Sequence, residues 1–594
     1  MDSPRPLLAN PLLRRLLDRV QSSRGVWAVV AIAFGLSLPA LASGFSTDDH
    51  IAAYKTQHGV RAWSLFAIAP AEVAKGMMDG TFAWWTSPNL QVKFLRPLTT
   101  LSHIADFHLW RDAPWAMHLV NGLLYAVMAA MAWGLYRELA PRRLRVAALA
   151  ALMFAIDDGH AVSVGWISSR NTVLASLFAL TAFWLHVRGR GTQRRYLVFA
   201  SAVCTALALA SAEAGLAGFG YFAAYALVFE RVSLWKRAAS LAPQLTVLTG
   251  WAIIYVAGDF GVHGASLYRE LSSPLDVLSQ GVLDLPTWLM SLFGPSGSTL
   301  VMILPENPVR LVSLLVCLPL SAALLRAVPR TRENAFFALG ALCSLPPLFT
   351  THPQDRLLML ASFGAFGLLA SFIDVAASHP QRFVRGTRRV LIGLHIVLAP
   401  LAFIATLNQT LPVEHGAQAI SAAVPVRAPK QVIVVSSPLD VLSLHVSTLL
   451  TENPARTRPE SLHQLYTGAS RLAARRIDAQ TLELVADDGW GNTVLERTFS
   501  TAASVPRVGS ELALESMRVL VRESTPDGRP RRVQFRFPTP LEAPGRLWLT
   551  WQDQKPVTWK PPAIGETITF PPLHVLTSLP RTAAANCLSS AVLR

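Results

Sequence analysis

Charge is scarce in this chain. Of its 594 residues only 15% are Asp, Glu, Lys or Arg, while 52% are hydrophobic, and the mean hydropathy is +0.37. A water-soluble chain of this length needs a charged surface, so the apolar excess implies an apolar solvent. Cysteine is scarcer still. Cys204, Cys317 and Cys343 stand within apolar runs and Cys587 near the C-terminus, with no spacing that makes a disulfide framework or a zinc site. Acidic residues number 37 against 53 basic ones, for a net charge of +16. The basic residues fall in short clusters between apolar runs, with no continuous stripe and no interleaved aromatic platform, which argues against nucleic acid as a partner. No set of His, Asp and Glu has the spacing of a metal site, so neither a metal nor another cofactor is expected.

Apolar runs, by contrast, fill the chain up to about residue 410. The first, 25–43, follows a basic segment carrying Arg5, Arg14, Arg15, Arg19 and Arg24. Ala40-Leu41-Ala42 has the form of a signal-peptidase site, but the run is longer than the ~7–15 residues of a signal core and fits an uncleaved first helix. Ten more runs lie at 115–136, 146–160, 172–187, 196–210, 215–229, 238–257, 309–325, 335–349, 357–373 and 390–407. The expectation is a polytopic α-helical membrane domain over 25–410 with about eleven transmembrane helices, preceded by a cytoplasmic segment 1–24.

Charge placement gives the orientation. Arg137/Arg142/Arg143/Arg145, Arg188/Arg190/Arg194/Arg195, Arg231/Lys236/Arg237, Arg326/Arg330/Arg332 and Arg382/Arg385/Arg388/Arg389 all fall on the side of the N-terminus. The alternate loops are acidic or mixed, with Asp48/Asp49, Asp157/Asp158, Glu213, Asp259/Asp276/Asp284 and Asp355. That pattern puts the N-terminus in the cytoplasm, the C-terminal tail outside, and the chain in the cytoplasmic (inner) membrane. Segment 281–304, interrupted by Pro286, Gly294, Pro295 and Gly297, reads as interfacial or re-entrant, because counting it as a span breaks the charge pattern.

After about Ala423 the composition changes. Val432–Val435 and 547–551 read as strands, 460–476 as a helical stretch, and 518–523 with 532–537 as a hairpin across Pro526-Asp527-Gly528. Residues 424–594 are therefore expected to form a β-rich extracytoplasmic domain that folds separately.

Asp48 and Asp49 follow the first run directly, where carboxylates are either solvated edge charges or catalytic groups. Their loop continues through Arg96-Pro97-Leu98 to Pro114, His118 and Asn121 at the head of the second run. His160 and Trp166-Ile167-Ser168-Ser169-Arg170 follow the third, Ser211-Ala212-Glu213-Ala214-Gly215 the fifth, and Asp355-Arg356-Leu357-Leu358 opens the tenth. In this order the motifs resemble the GT-C superfamily of membrane glycosyltransferases, in particular the transmembrane O-mannosyltransferases that carry C-terminal TPR repeats. Members show an aromatic residue shortly before Asp-Asp or Asp-Glu (here Phe45, Asp48 and Asp49), then Arg-Pro-Leu and Pro-x-x-x-His-x-x-Asn. His-x-x-x-x-x-Trp-Ile-Ser-Gly-Arg, Ser-Lys-Glu-x-Gly and Glu-Arg-Leu-Tyr-Leu-Pro come after. This chain departs at Asp157-Asp158, where the family has His-Pro, at Val162 for Glu and at Ala212 for Lys; no TPR repeat follows the last run. The resemblance implies a GT-C-like fold, a polyprenyl-phosphate-linked sugar as donor, a protein or glycan as acceptor, contact with membrane lipid, and Asp48 as the first acid of the catalytic pair.

The chemistry agrees with that resemblance. The anomeric carbon of a lipid-linked donor stays at the membrane–water boundary, where Asp48 lies, and phosphate is already a good leaving group. One carboxylate that takes the acceptor's proton suffices for inverting displacement, with Asp49 in support. Arg96, Arg170 and Arg356, all outward, are candidates for the donor phosphate; each is equally open to pairing with Asp106, Asp158 or Asp355. His118, His160, Glu213, Asp157 and Asp158 complete the candidate substrate-binding set. For the two histidines polar packing is the stronger alternative, and Glu213 is either an ion-pair member or an edge charge. A transporter or flippase would show repeated or broken helices, of which only 281–304 is one. The departures leave an inactive GT-C-like scaffold as the other alternative.

Overall fold

The computed structural model describes residues 11–61, 64–111, 113–270, 273–468 and 470–580; Arg5 and Cys587 lie outside them. Helices dominate as far as Ala423, and proline starts several of them. Pro97, Pro114 and Pro274 each take a first-turn position, where the absent N–H has no helical partner to lose.

All eleven expected runs are helical over most of their length, but they differ in reach. By length and composition seven helices among the described residues can cross a bilayer: Gly25–Ala42, Pro114–Leu139, Leu144–Gly165, Ile167–Thr192, Glu306–Ala327, Asp355–Ser378 and Arg382–Ala423. Leu234–Ser240 and Ala242–Ala257, bent by 60°, make an eighth if they form one span. The chain is a polytopic membrane protein, and the expected count of eleven is not reached. The shortfall is one of length. Arg195–Ser211 has 17 residues, Phe219–Val228 has 10 and Arg332–Cys343 has 12, all under the ~20 that a bilayer core requires. Segment 281–304 folds mainly as Leu285–Phe293 and Ser298–Met302, too short to cross.

Seven helices organise the candidate site: α1 (Gly25–Ser37), α2 (Asp48–Gln57), α3 (Pro97–Trp110), α4 (Pro114–Leu139), α5 (Arg170–Thr192), α6 (Leu411–Ala423) and α7 (Leu442–Glu452). A small antiparallel sheet, β1 (Ala67–Ile68), β2 (Gln91–Lys93) and β3 (Gly261–His263), ties the loop after α1 to the loop near residue 260.

The tail is strand-rich. One sheet has the order β12-β11-β4-β5, from β4 (Gln431–Val434), β5 (Ser461–Gln464), β11 (Arg546–Gln552) and β12 (Lys555–Thr558). Strands β4 and β5 are parallel, so a crossover is required, and α7 supplies it. The other sheet is antiparallel, ordered β13-β6-β7-β10-β9-β8, from β6 (Leu472–Arg476), β7 (Thr481–Ala486), β8 (Glu511–Ala513), β9 (Arg518–Ser524), β10 (Pro530–Arg536) and β13 (Thr567–Phe570). The expected hairpin is β9–β10. The expected helical stretch 460–476 is instead the strands β5 and β6. Leu472, Ala474 and Arg476 turn inward and Arg475 outward, a period of two that pairing with β7 enforces over the helical preference of Leu, Ala and Arg.

The tail's core is not made by the tail alone. Trp84 and Trp85, from the loop after α1, are each 1% exposed among Leu465, Trp490 and Phe535. The indole N–H groups of Trp84 and Trp490 both donate to the Leu465 carbonyl at 3.0 Å. Gly80 permits this approach: its φ is +86°, and a Cβ there would lie 2.0 Å from the Leu462 carbonyl oxygen. Helix α6 joins from the membrane side, with Ala417 and Ile420 packed among Val432, Val434 and Leu442.

Candidate active site

Thr47 fixes the geometry. Its φ of 49° with ψ −113° is a conformation that β-branched residues rarely adopt. Glu414 on α6 holds it, with Oε2 accepting the Thr47 N–H at 2.9 Å. The other oxygen of Glu414 stands 3.2 Å from His50 Nε2 and accepts from Gln418 at 2.8 Å. His50 Nδ1 lies 3.0 Å from Glu452 on α7. Burial opposes a charged imidazole, but the two carboxylates outweigh it and hold His50 up to about 10. A histidine raised from 6.5 to about 10 contributes its full stability below pH 6.5 and loses it as the pH rises towards 10. Melting temperatures of the parent and His50→Gln should therefore differ at about pH 6 and converge near pH 10.

After Thr47 the paired carboxylates part. Asp49 is fully buried and accepts hydrogen bonds from Ser46 N at 3.0 Å, Ser168 N at 2.8 Å and Ser168 Oγ at 2.6 Å. Burial, partly offset by those bonds, pushes its carboxyl up to about 6. Asp48 is exposed in the first turn of α2 and makes no hydrogen bond among the described residues. One acid is a fixture of the wall; the other faces out.

Arg96 owes its position to the proline that follows. Pro97 disfavours a helical conformation for Arg96, which takes φ −126° and ψ 52°. Its guanidinium stacks over Phe94 at 3.9 Å, and its Nε donates to Glu213 at 2.8 Å. The second Glu213 oxygen accepts from Leu95 N at 3.2 Å. The terminal nitrogens of Arg96 make no hydrogen bond among the described residues. Arg356 lies over the Trp166 ring at 5.5 Å and donates through Nε to Gln354 at 2.9 Å, with no carboxylate partner among the described residues. Its neighbour Asp355 instead accepts from Gly297 N, Ser298 N and Thr299 Oγ1, at 3.1, 3.1 and 2.9 Å. Tyr268, Arg96 and Asp48 all lie within electrostatic range of Arg356.

The remaining candidates bond within the protein. Arg170 is fully buried, paired with Asp106 and donating to Asn121 Oδ1 at 2.5 Å and Met117 O at 3.1 Å. The pairing with Asp106, one of its two expected roles, accounts for it, and it has no surface left for a donor. His118 Nε2 bonds the Gly44 carbonyl at 2.9 Å, and the spacing of Pro114, His118 and Asn121 sets both polar side chains on the buried face of α4. His160 is buried against Tyr125, Ser362 and Asp157 at 3.2, 3.0 and 3.3 Å. Asp158 has Ser296 beside it, and the Asp157–Asp158 turn packs behind Asp355. The structure thus gathers Asp48, Arg96, Glu213 and Arg356, and sets Arg170, His118, His160 and Asp157 into the wall. Thr47, His50, Glu414 and Glu452 were not among the expected residues. Their partners lie more than 360 residues away in sequence, and no local pattern marks them.

No family model matches the chain. Over 124 residues it is 29% identical to protein O-mannosyl-transferase TMTC3 of Mus musculus, a stretch covering 20% of this chain and 13% of that protein. The chain spans only a small part of that relative's length. Among solved structures it is similar to ArnT from Cupriavidus metallidurans bound to undecaprenyl phosphate, at 13% identity over 75% of this chain and 90% of that one, with a TM-score of 0.38. The arabinofuranosyltransferase AftD from Mycobacteria is 14% identical over 90% of this chain and 41% of that one, with a TM-score of 0.34.

Proposed function

We propose that the chain moves a sugar from a polyprenyl-phosphate donor to a hydroxyl of an extracytoplasmic protein or glycan, by inverting displacement with Asp48 as general base. The observation that supports this most directly is an exposed carboxylate, Asp48, near two guanidiniums, those of Arg96 and Arg356; among the described residues neither the carboxylate nor their terminal nitrogens make a hydrogen bond. The acceptor oxygen attacks the anomeric carbon, the bond from that carbon to the phosphate oxygen breaks, and its electron pair leaves on the polyprenyl phosphate. The hydroxyl proton goes to Asp48. Arg96 and Arg356 hold the phosphate through charge-assisted bonds, and Glu213 with Phe94 keeps Arg96 aimed.

Arg96→Ala should weaken donor retention by about tenfold or more, read with a fluorescent polyprenyl-phosphate sugar on purified protein. Arg170→Ala should instead lower the melting temperature. Parental retention in both Arg96→Ala and Arg356→Ala would remove the phosphate assignment. The reading also requires Asp48 to face outside. Ala503→Cys should react with an impermeant maleimide in intact cells and Ser22→Cys only after permeabilisation, both positions being exposed. The reverse pattern would put the carboxylate on the wrong side.

A further inference from the structure

Helices α1, α4 and α5 leave a groove of about 550 Å³ at the membrane end far from Asp48. We infer that it holds an anionic diacyl phospholipid of the leaflet nearest the N-terminal segment. Its floor is made by Ala130 and Gly134, one turn apart on α4, and a Cβ on Gly134 would meet nothing within 4 Å. Val127 and Met131 extend that apolar floor towards the bilayer centre, the path an acyl chain takes.

The rim is built for an anion. Arg137 lies over the Trp133 ring at 4.7 Å and Arg188 over the Trp184 ring at 4.2 Å. Both rings are fixed from behind: Trp133 donates to the Val20 carbonyl at 3.0 Å and Trp184 to Glu138 at 2.9 Å. The one carboxylate present, Glu138, is matched by Arg188 Nε at 3.1 Å. Arg137 uses a single terminal nitrogen, on the Gln21 carbonyl, and has no carboxylate partner among the described residues. The rim therefore carries a net positive charge and two planar forks held on aromatic faces, the geometry that suits a phosphate ester. Indoles at this level match headgroup depth. The ammonium of a zwitterionic headgroup would sit against the two guanidiniums, whereas an anionic headgroup brings no such charge.

The test uses full-length protein in detergent, stripped of lipid and given phosphatidylglycerol or phosphatidylcholine with identical acyl chains. Retained lipid is counted by native mass spectrometry. The parent should hold phosphatidylglycerol at about tenfold lower concentration than phosphatidylcholine, and the Arg137→Gln/Arg188→Gln protein should hold the two alike. Gly134→Leu fills the floor without touching either guanidinium, and should lose the retained lipid while keeping its melting temperature. Equal retention of both lipids by the parent overturns the inference, as does undiminished phosphatidylglycerol on Gly134→Leu. Displacement of phosphatidylglycerol by an equal concentration of polyprenyl monophosphate overturns it too, and gives the groove to a carrier lipid. None of these readouts involves sugar transfer, so they stand or fall apart from Asp48.

Discussion

Purified Asp48→Asn protein should bind a polyprenyl-phosphate sugar as the parent does and transfer it more slowly by about 100-fold or more. Asparagine keeps the shape of the side chain and removes its ability to take a proton. Because Asp48 is exposed and makes no hydrogen bond among the described residues, the exchange breaks nothing that holds the fold. Asp49→Asn should behave in the opposite way. Four donors converge on the Asp49 carboxylate, and an amide would turn its own N–H groups towards at least one of them. That mismatch, buried, costs about 1–3 kcal/mol of stability and should show as a lowered melting temperature. A rate loss without a melting shift at one position, and a melting shift at its neighbour, is the signature of the two roles. Transfer at the parental rate by Asp48→Asn would end its assignment as base. If the parent itself transfers no sugar from such a donor, the chain is an inactive scaffold.

An effect of similar size is expected at Trp84. Removing this buried indole by Trp84→Ala takes away the T-shaped contacts with Trp85, Trp490 and Phe535, at ring separations of 5.4, 5.7 and 5.8 Å. It also takes one donor from the Leu465 carbonyl. A cavity of that size costs about 3–5 kcal/mol, a large part of what a domain of this size has in reserve. It follows that residues 411–580 expressed alone should unfold without a sharp transition. A synthetic peptide of residues 79–90, added in excess, should restore cooperativity and raise the midpoint. A cooperative melt of the isolated tail, indifferent to the peptide, would show that the two tryptophans are accessories.

The membrane part was legible where its signal is local. Apolar runs and arginine clusters are properties of short windows, and each run proved helical. Span number was less legible, because it depends on where helices break. Glu213–Gly218 tightens into a 3-10 turn and leaves Phe219–Val228 too short to cross, which average hydropathy does not register. At the site, the motif order pointed to Asp48, Arg96, Glu213 and Arg356, which the structure groups. Arg170 looked equivalent in sequence because an outward arginine has the same letter whether it faces a ligand or a buried Asp106. Only the tertiary pairing separates those fates. The segment 460–476 misled for a related reason: Leu, Ala and Arg favour a helix in isolation, and a neighbouring strand decides otherwise.

The shared core of loop, last helix and tail sets a rule for building hybrids of this protein. A cut at residue 424 appears natural on paper, since the strands begin there. It would sever Ala417 and Ile420 from Val432 and Val434, and leave Trp84 and Trp85 facing a foreign surface. The transplantable piece is discontinuous: 79–90, 411–423 and the tail travel together. Glu414 travels with them, so a graft of the outer domain also exchanges the carboxylate that holds Thr47, one residue before Asp48.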